Sequence, residues 1–390
     1  MATKLKAVPA PAPEVPSVPA TCDSWVSLKA ALNKLFPERG DVIDATLCAV
    51  AAREHAFYLG PAGTGKSALA RAVAQAFGTG YFEHLITKFT VPGEVFGEVD
   101  LPAWQSTGVY TRNTKGFAPE AQVWFLDEIW KGSSAILNAL LAALNERKFR
   151  NGGTLVELPL STCVAASNEL PEGEGLDPIY DRFLVRCEVG YIVEDDAWTA
   201  MVEAPDPVAP RSTLNLADEQ SACARVEVPH TVVLAARAIA NALKRAGHVI
   251  SDRRWKRSMK LVQSRAYLDG RMVAELDDLD ILEHSLWREP KQRASIARVI
   301  QAHISPDGAR IAELYDEAKD LFEKLSPDAK SSKRAALGEL GGCSDSLEKL
   351  LADLDKLSEG RKQREARKAV NGYLEECTRL IARSMGTKLV

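Results

Sequence analysis

A parallel α/β fold followed by an all-helical region is what the sequence of this 390-residue chain predicts, and three observations carry that expectation. Short β-rich runs alternate with helix-patterned stretches between about residues 55 and 190, as expected of a parallel sheet covered by helices on both faces. A glycine-rich turn of the form GxxxxGKS, residues 60–67, stands between the first of those runs and the first helix after it. Beyond Glu194 the β signal disappears and the apolar spacing becomes helical.

The elements follow in order. Residues 1–24 are read as a Pro-rich, mobile lead-in, with prolines at 9, 11, 13, 16 and 19 that favour extended, solvated backbone. From Trp25 to Ala52 the spacing is helical, through Trp25, Leu28, Leu32, Val42, Ile43 and Leu47. Strands are expected at Ala56–Gly60, Tyr81–Phe89, Val123–Leu126, Thr162–Ser167 and Phe183–Val189. Helices are expected to begin near Lys66, Ser133 and Asp177. Residues 25–193 thus form the expected α/β domain. Residues 194–304 read as a small helical domain, with helices over His230–Leu243, Asp252–Leu268 and Glu275–Trp287. Residues 305–390 read as a helical extension in which Leu347, Leu350, Leu351, Leu354 and Leu357 line one face, and Gly360 allows a helical hairpin.

Composition excludes several classes. With 46% apolar and 26% charged residues the chain is neither disordered nor a disulfide framework. Its apolar runs fall far short of the ~20 residues a membrane span needs, and MATKLKAVPAPAPEVPS has no apolar core of a secretory signal. Forty-nine basic against 53 acidic residues do not indicate nucleic acid. The seven cysteines are odd in number, scattered and never CxxC, as in reduced core thiols of a cytoplasmic protein. The six histidines lack metal-site spacing, so no zinc is expected.

Three motifs carry chemistry. In Gly60-Pro61-Ala62-Gly63-Thr64-Gly65-Lys66-Ser67, with Ala68 next in the helix, the glycines let successive backbone N–H groups face phosphate oxygens, and the helix N-terminus adds its positive end. Lys66 would reach the β- and γ-phosphates of a nucleotide, and the Ser67 hydroxyl would hold Mg²⁺. In Val123-Trp124-Phe125-Leu126-Asp127-Glu128 an apolar strand ends in two carboxylates, Asp127 for the magnesium shell and Glu128 to polarise the attacking water. Cys163–Asn168 is a second apolar strand, and Asn168 at its end is placed to orient water beside the γ-phosphate.

This ordered series resembles the AAA+ superfamily, and finer features resemble its MoxR branch, in particular RavA-like members. The stretches are FTVPGEVFGEVD, LDEIWKGSSAILNALLAALNERKFRNGG, VAASNELP, IYDRFLVR and SDRRWK, over roughly residues 30–290. The resemblance implies an AAA+ core with a helical lid. It implies that Thr90–Gly116 is the helix-2 insertion, usually pore-facing, and that Phe149–Leu158 is the hairpin before the sensor strand. Arg182 in DRF matches the arginine finger, which acts on a neighbouring subunit's phosphates, with Arg147 in LNER as the competing position. Arg253 or its neighbour Arg254 corresponds to the second sensor.

The function so implied is ATP hydrolysis in a hexameric ring that remodels or assembles partner proteins, with a von Willebrand factor A domain protein as possible partner. Two alternatives stay open: a nucleic-acid motor of helicase or McrB-like type, and a regulatory nucleotide-binding scaffold. Residues 244–271, with nine basic and two acidic residues, fit either a nucleic-acid patch or a phosphate-facing lid with exposed lysines.

Overall fold

The helical spacing from Trp25 onward is realised as α1 (Trp25–Leu35) and α2 (Gly40–Ala51), just after a two-residue strand, β1 (Thr21–Cys22). Ser24 starts α1 through a reciprocal capping box with Ser27, which satisfies two backbone donors at the helix entrance. The computed structural model describes residues 21–172, 175–203, 208–305, 307–331, 337–357 and 360–384; the Pro-rich segment 1–20 lies outside them. The chain divides into two units. One runs to Arg225 and includes Tyr267–Gly270; the other holds Val226–Ala266 and the residues from Arg271 onward.

The first unit continues through β2 (His55–Leu59), α3 (Lys66–Ala76), β3 (Tyr81–Leu85), α4 (Pro92–Phe96), α5 (Leu101–Thr107) and β4 (Val123–Asp127). Then come α6 (Ser134–Glu146), the hairpin β5 (Lys148–Asn151) and β6 (Thr154–Glu157), β7 (Thr162–Ser167), α7 (Asp177–Tyr180) and β8 (Phe183–Glu188). It ends with α8 (Asp195–Glu203), β9 (Arg211–Ser212) and α9 (Leu216–Cys223). Five strands form a parallel sheet in the order β3–β4–β7–β2–β8. The inner strands β4, β7 and β2 are covered on both faces, which is why their middle residues are apolar without alternation. Phe57 packs against Trp130 at 5.3 Å and edge-on against Tyr180 at 5.6 Å between ring centroids, tying the sheet to the helices beyond it.

Two expectations shift. The strand from Tyr81 stops at Leu85 rather than Phe89, because Thr87 and Thr90 close a turn: the Thr87 amide donates to the Thr90 hydroxyl and the Thr90 amide to the Thr87 carbonyl. The α/β unit runs past residue 193 to Arg225. Helix α9 belongs to it because Gln220 donates to the Val50 carbonyl and the Ser161 hydroxyl at 2.7 and 2.6 Å, and the Trp25 indole donates to Glu219. β9 also pairs in parallel with β1.

The second unit is helical: α10 (His230–Arg245), α11 (Asp252–Leu268), α12 (Pro290–Ile304), α13 (Gly308–Glu323), α14 (Pro327–Lys330), α15 (Leu337–Leu354) and α16 (Arg361–Ser384). Leu276–His284, expected as part of an α-helix, is a 3₁₀ stretch. Asp278 at its start accepts from the Glu275 amide and from Arg271, contacts that compete with a regular α turn. Gly360 does mark a hairpin: α15 and α16 pack so that the Cys343 and Cys377 sulfurs, equally far from it in sequence, lie 3.7 Å apart. Leu340, Leu347, Leu354, Val370 and Leu380 fill the core between them. The extension is tied to the rest of this unit by an Arg364–Glu275 ion pair of 2.5 Å. Among the described residues no helix is long and apolar enough to cross a membrane.

Candidate functional site

Because β4, β7 and β2 are adjacent and parallel, their carboxyl ends share one edge of the sheet, where the three motifs meet. The Gly60 amide donates to the Ser167 carbonyl at 3.0 Å, so the glycine-rich loop is rooted one residue from Asn168. Asp127 closes β4 next door and accepts from the Glu128 amide at 3.0 Å. Asn168 is exposed at this edge.

The loop needs its glycines for different reasons. A Cβ on Gly60 would come within 2.0 Å of the Val189 carbonyl oxygen, so the close passage of the segment after β8 admits no side chain there. Gly63 and Gly65 have φ of +78° and +80°, and Gly65 hands the chain into α3, whose first amides have no acceptor within the helix. Lys66 is buried as the first residue of α3, and its ammonium donates to the Gly60 and Pro61 carbonyls at 2.8 and 2.6 Å. Burial pushes its pKa down, while the charges of Asp127 and Glu128 pull it back up. Thr64 donates to the Pro61 carbonyl, and Ser67 stands half-buried one residue beyond the lysine.

Glu128 has φ of +51°, a conformation that costs energy for a residue with a side chain and is concentrated at functional positions. Its carboxylate lies 3.2 Å from the Lys131 ammonium as an ion pair, without hydrogen-bond alignment. The hydroxyl of Ser67 and the carboxylate of Asp127 are hard oxygen donors of the kind Mg²⁺ prefers, so the residues present fit that ion.

The two competing arginines both lie toward the edge of the sheet opposite the motifs, and they differ in what they contact. Arg147 ends α6 at φ +52°, and its guanidinium donates to the carbonyls of Leu160 at 3.0 Å, Ser161 at 3.4 Å and Arg53. Those carbonyls precede β7 and β2, at the edge of the sheet opposite the loop. Arg182 precedes β8, and its Nη1 lies 3.9 Å from Asp181. In the helical unit, Arg254 is buried and donates to the Ser285 carbonyl, whereas Arg253 is exposed.

Sequence reasoning missed two features beside the loop. Glu38, at φ +56°, accepts from the Val193 amide at 2.9 Å and the Glu194 amide at 2.7 Å, and those bonds hold its carboxyl below the usual carboxylate range. Arg39 donates to the Gly190 carbonyl at 2.6 Å, and the Tyr191 hydroxyl lies 3.4 Å from the Ala62 carbonyl. Partners more than 120 residues apart leave no local pattern to find. Lys131, by contrast, is three residues from Glu128 and was within reach of helical spacing rules.

The arrangement can cradle a polyphosphate, hold a divalent cation and orient water. Residues 25–218 match a family described as the MoxR domain in the MoxR-vWA-beta-propeller ternary systems, and residues 232–300 match an AAA lid domain. An uncharacterized protein of Methanocaldococcus jannaschii is 35% identical over 307 residues, 77% of this chain and 82% of that protein. Chaperone MoxR1 of Mycobacterium tuberculosis is 24% identical over 169 residues, 41% of this chain and 42% of its own. A solved protein of Cytophaga hutchinsonii, provisionally described as an ATPase, shares the fold at a TM-score of 0.57 and 15% identity. That match covers 71% of this chain and 93% of the other.

Proposed function

Since the chain belongs to the MoxR family of AAA+ ATPases, we propose that it hydrolyses ATP in a hexameric ring and uses the subunit motion to remodel or assemble partner proteins in the cytoplasm. The observation that carries this reading is the convergence of Gly60–Ser67, Asp127–Glu128 and Asn168 on one edge of the sheet. In it, the loop amides and the start of α3 bind the phosphates, and Lys66 exchanges its two loop carbonyls for β- and γ-phosphate oxygens. Ser67 and Asp127 hold Mg²⁺, which neutralises charge on the phosphates when bound. Glu128 takes the proton of the attacking water, and Asn168 holds that water in line.

Arg182 is the better candidate for the finger. Arg147 already serves three carbonyls, and releasing them would unsettle the entrances to β7 and β2. Arg253 is the better candidate for the second sensor, because Arg254 is spent inside its own unit. The partner we propose is a von Willebrand factor A domain protein, with a β-propeller protein as third component, as the name of the matching family suggests. Phosphate release with no addition, with DNA, and with a co-purified partner tests the reading. Stimulation by the protein partner is expected; stimulation by DNA alone would replace it with a nucleic-acid motor, and no turnover at all with a scaffold.

A further inference from the structure

Helix α8 has an apolar stripe left exposed among the described residues of its unit. None of its nine residues is buried. Trp198, Met201 and Val202 stand at i, i+3 and i+4, and are 54%, 45% and 56% exposed. Glu194, Asp195, Asp196 and Glu203 flank the stripe, and residues 190–203 contain no lysine or arginine. A helix this short is marginal in water by itself, so an uncovered stripe of this kind marks a contact.

The helical unit carries a cleft of opposite character. It has a volume of about 390 Å³ and lies between α10 and α11, with Ala236, Ala240, Trp255 and Met259 among its walls. Arg237, Lys244 and Lys256 line it, each exposed and without an ion pair or side-chain hydrogen bond among the described residues. Asp252 is the single carboxylate in the lining. The cleft-facing stripe of α10 runs from Val233 to Lys244, about 16 Å at 1.5 Å per residue, and α8 is about 13 Å long by the same measure.

We propose that this cleft receives α8 of a second copy of the chain. Trp198 enters between the alanines of α10 and the Trp255–Met259 wall, and the α8 carboxylates meet Arg237, Lys244 and Lys256. An aromatic anchor in a pocket supplies most of the affinity; the exposed charges set orientation and encounter rate. The proposal rests on the ring reading and names one contact that would build it.

Two full-length chains distinguishable by size test it, one carrying Thr199→Cys on α8 and the other Val249→Cys at the cleft. All seven native cysteines are buried, so oxidation reports on the new pair. Mixed, the two should yield a crosslinked heterodimer, and adding Trp198→Ala to the first should abolish it. Independently, Arg237→Glu, Lys244→Glu and Lys256→Glu together should weaken self-association by at least about tenfold. Adding Asp195→Lys, Asp196→Lys and Glu203→Lys to that chain should restore it. No crosslink between copies, a crosslink formed only within a doubly substituted chain, or unchanged association after charge reversal would overturn the proposal. Full-size rings with MgATP but no crosslink would end this contact and leave the ring standing; a chain that stays single would end both.

Discussion

Arg112 and Asn151 exchange two hydrogen bonds: the Arg112 amide donates to Asn151 Oδ1 at 2.7 Å, and Asn151 Nδ2 donates to the Arg112 carbonyl at 3.1 Å. This joins the segment after β3, which the resemblance reads as the helix-2 insertion, to the hairpin β5–β6 that precedes β7. Arg112 also donates to the Gly97 carbonyl and bridges Val99, which folds the segment back on itself. At the hairpin turn, Gly152 has φ +61°, and a Cβ there would crowd Val109 and Thr111 at 2.9 Å. The segment and the hairpin are therefore joined at more than one point.

Asn151→Ala should uncouple them. It leaves the Arg112 amide and carbonyl without their partner, a loss of about 1–3 kcal/mol in local stability. Hydrogen exchange of residues 98–113 should accelerate while α3 and β4 keep their protection. Unchanged exchange at Arg112 would mean that the two bonds do not hold the segment in solution.

Lys66→Ala should abolish ATP binding, and Glu128→Gln should keep binding but stall turnover. The first removes the cation at the phosphates; the second keeps the phosphate cradle and removes the base. Isothermal titration alongside phosphate release separates the two losses. Near-normal turnover in Glu128→Gln would remove that carboxylate from the proposed mechanism.

The two arginines should fail in different ways. Arg147→Ala loses its bonds to three carbonyls and should lower unfolding stability by about 1–3 kcal/mol in a denaturant titration. Arg182→Ala should still bind ATP, yet hydrolyse it roughly 10³–10⁵-fold more slowly. Mixed with Lys66→Ala subunits it should regain part of the turnover, because each variant supplies what its neighbour lacks. Full activity of Arg182→Ala alone would pass the finger role to Arg147.

Acidification should loosen the segment held by Glu38. The Val193 amide first and the Glu194 amide second depress its pKa. A group whose folded pKa lies below its unfolded value stabilises fully above the unfolded value, about 4.3, and loses that effect as pH falls through the folded one. Exchange at Val193 and Glu194, corrected for its intrinsic pH dependence, should be flat near neutrality and faster below the carboxylate range. Glu38→Gln should show no such transition; a transition surviving it would assign the effect to another carboxyl.

The segments that meet at the candidate site were readable from residues alone. GxxxxGKS, the carboxylates at 127–128 and Asn168 are each marked by neighbours in sequence: a glycine pattern, an apolar strand, a polar residue at its end. Such signals are local, because backbone sterics and side-chain periodicity act over a few residues. The hairpin about Gly360 belonged to the same class. What the tertiary structure alone decided was which distant groups become partners. The strand order set Gly60 beside Asn168, and the packing of α9 carried the α/β unit to Arg225. The turn at Thr87–Thr90 ended β3 early, and the carbonyls at 53, 160 and 161 claimed Arg147. A guanidinium binds whichever carbonyls the chain path presents, and Arg53 lies 94 residues from Arg147. That choice depends on how strands and helices are stacked, a property that no window of adjacent residues contains.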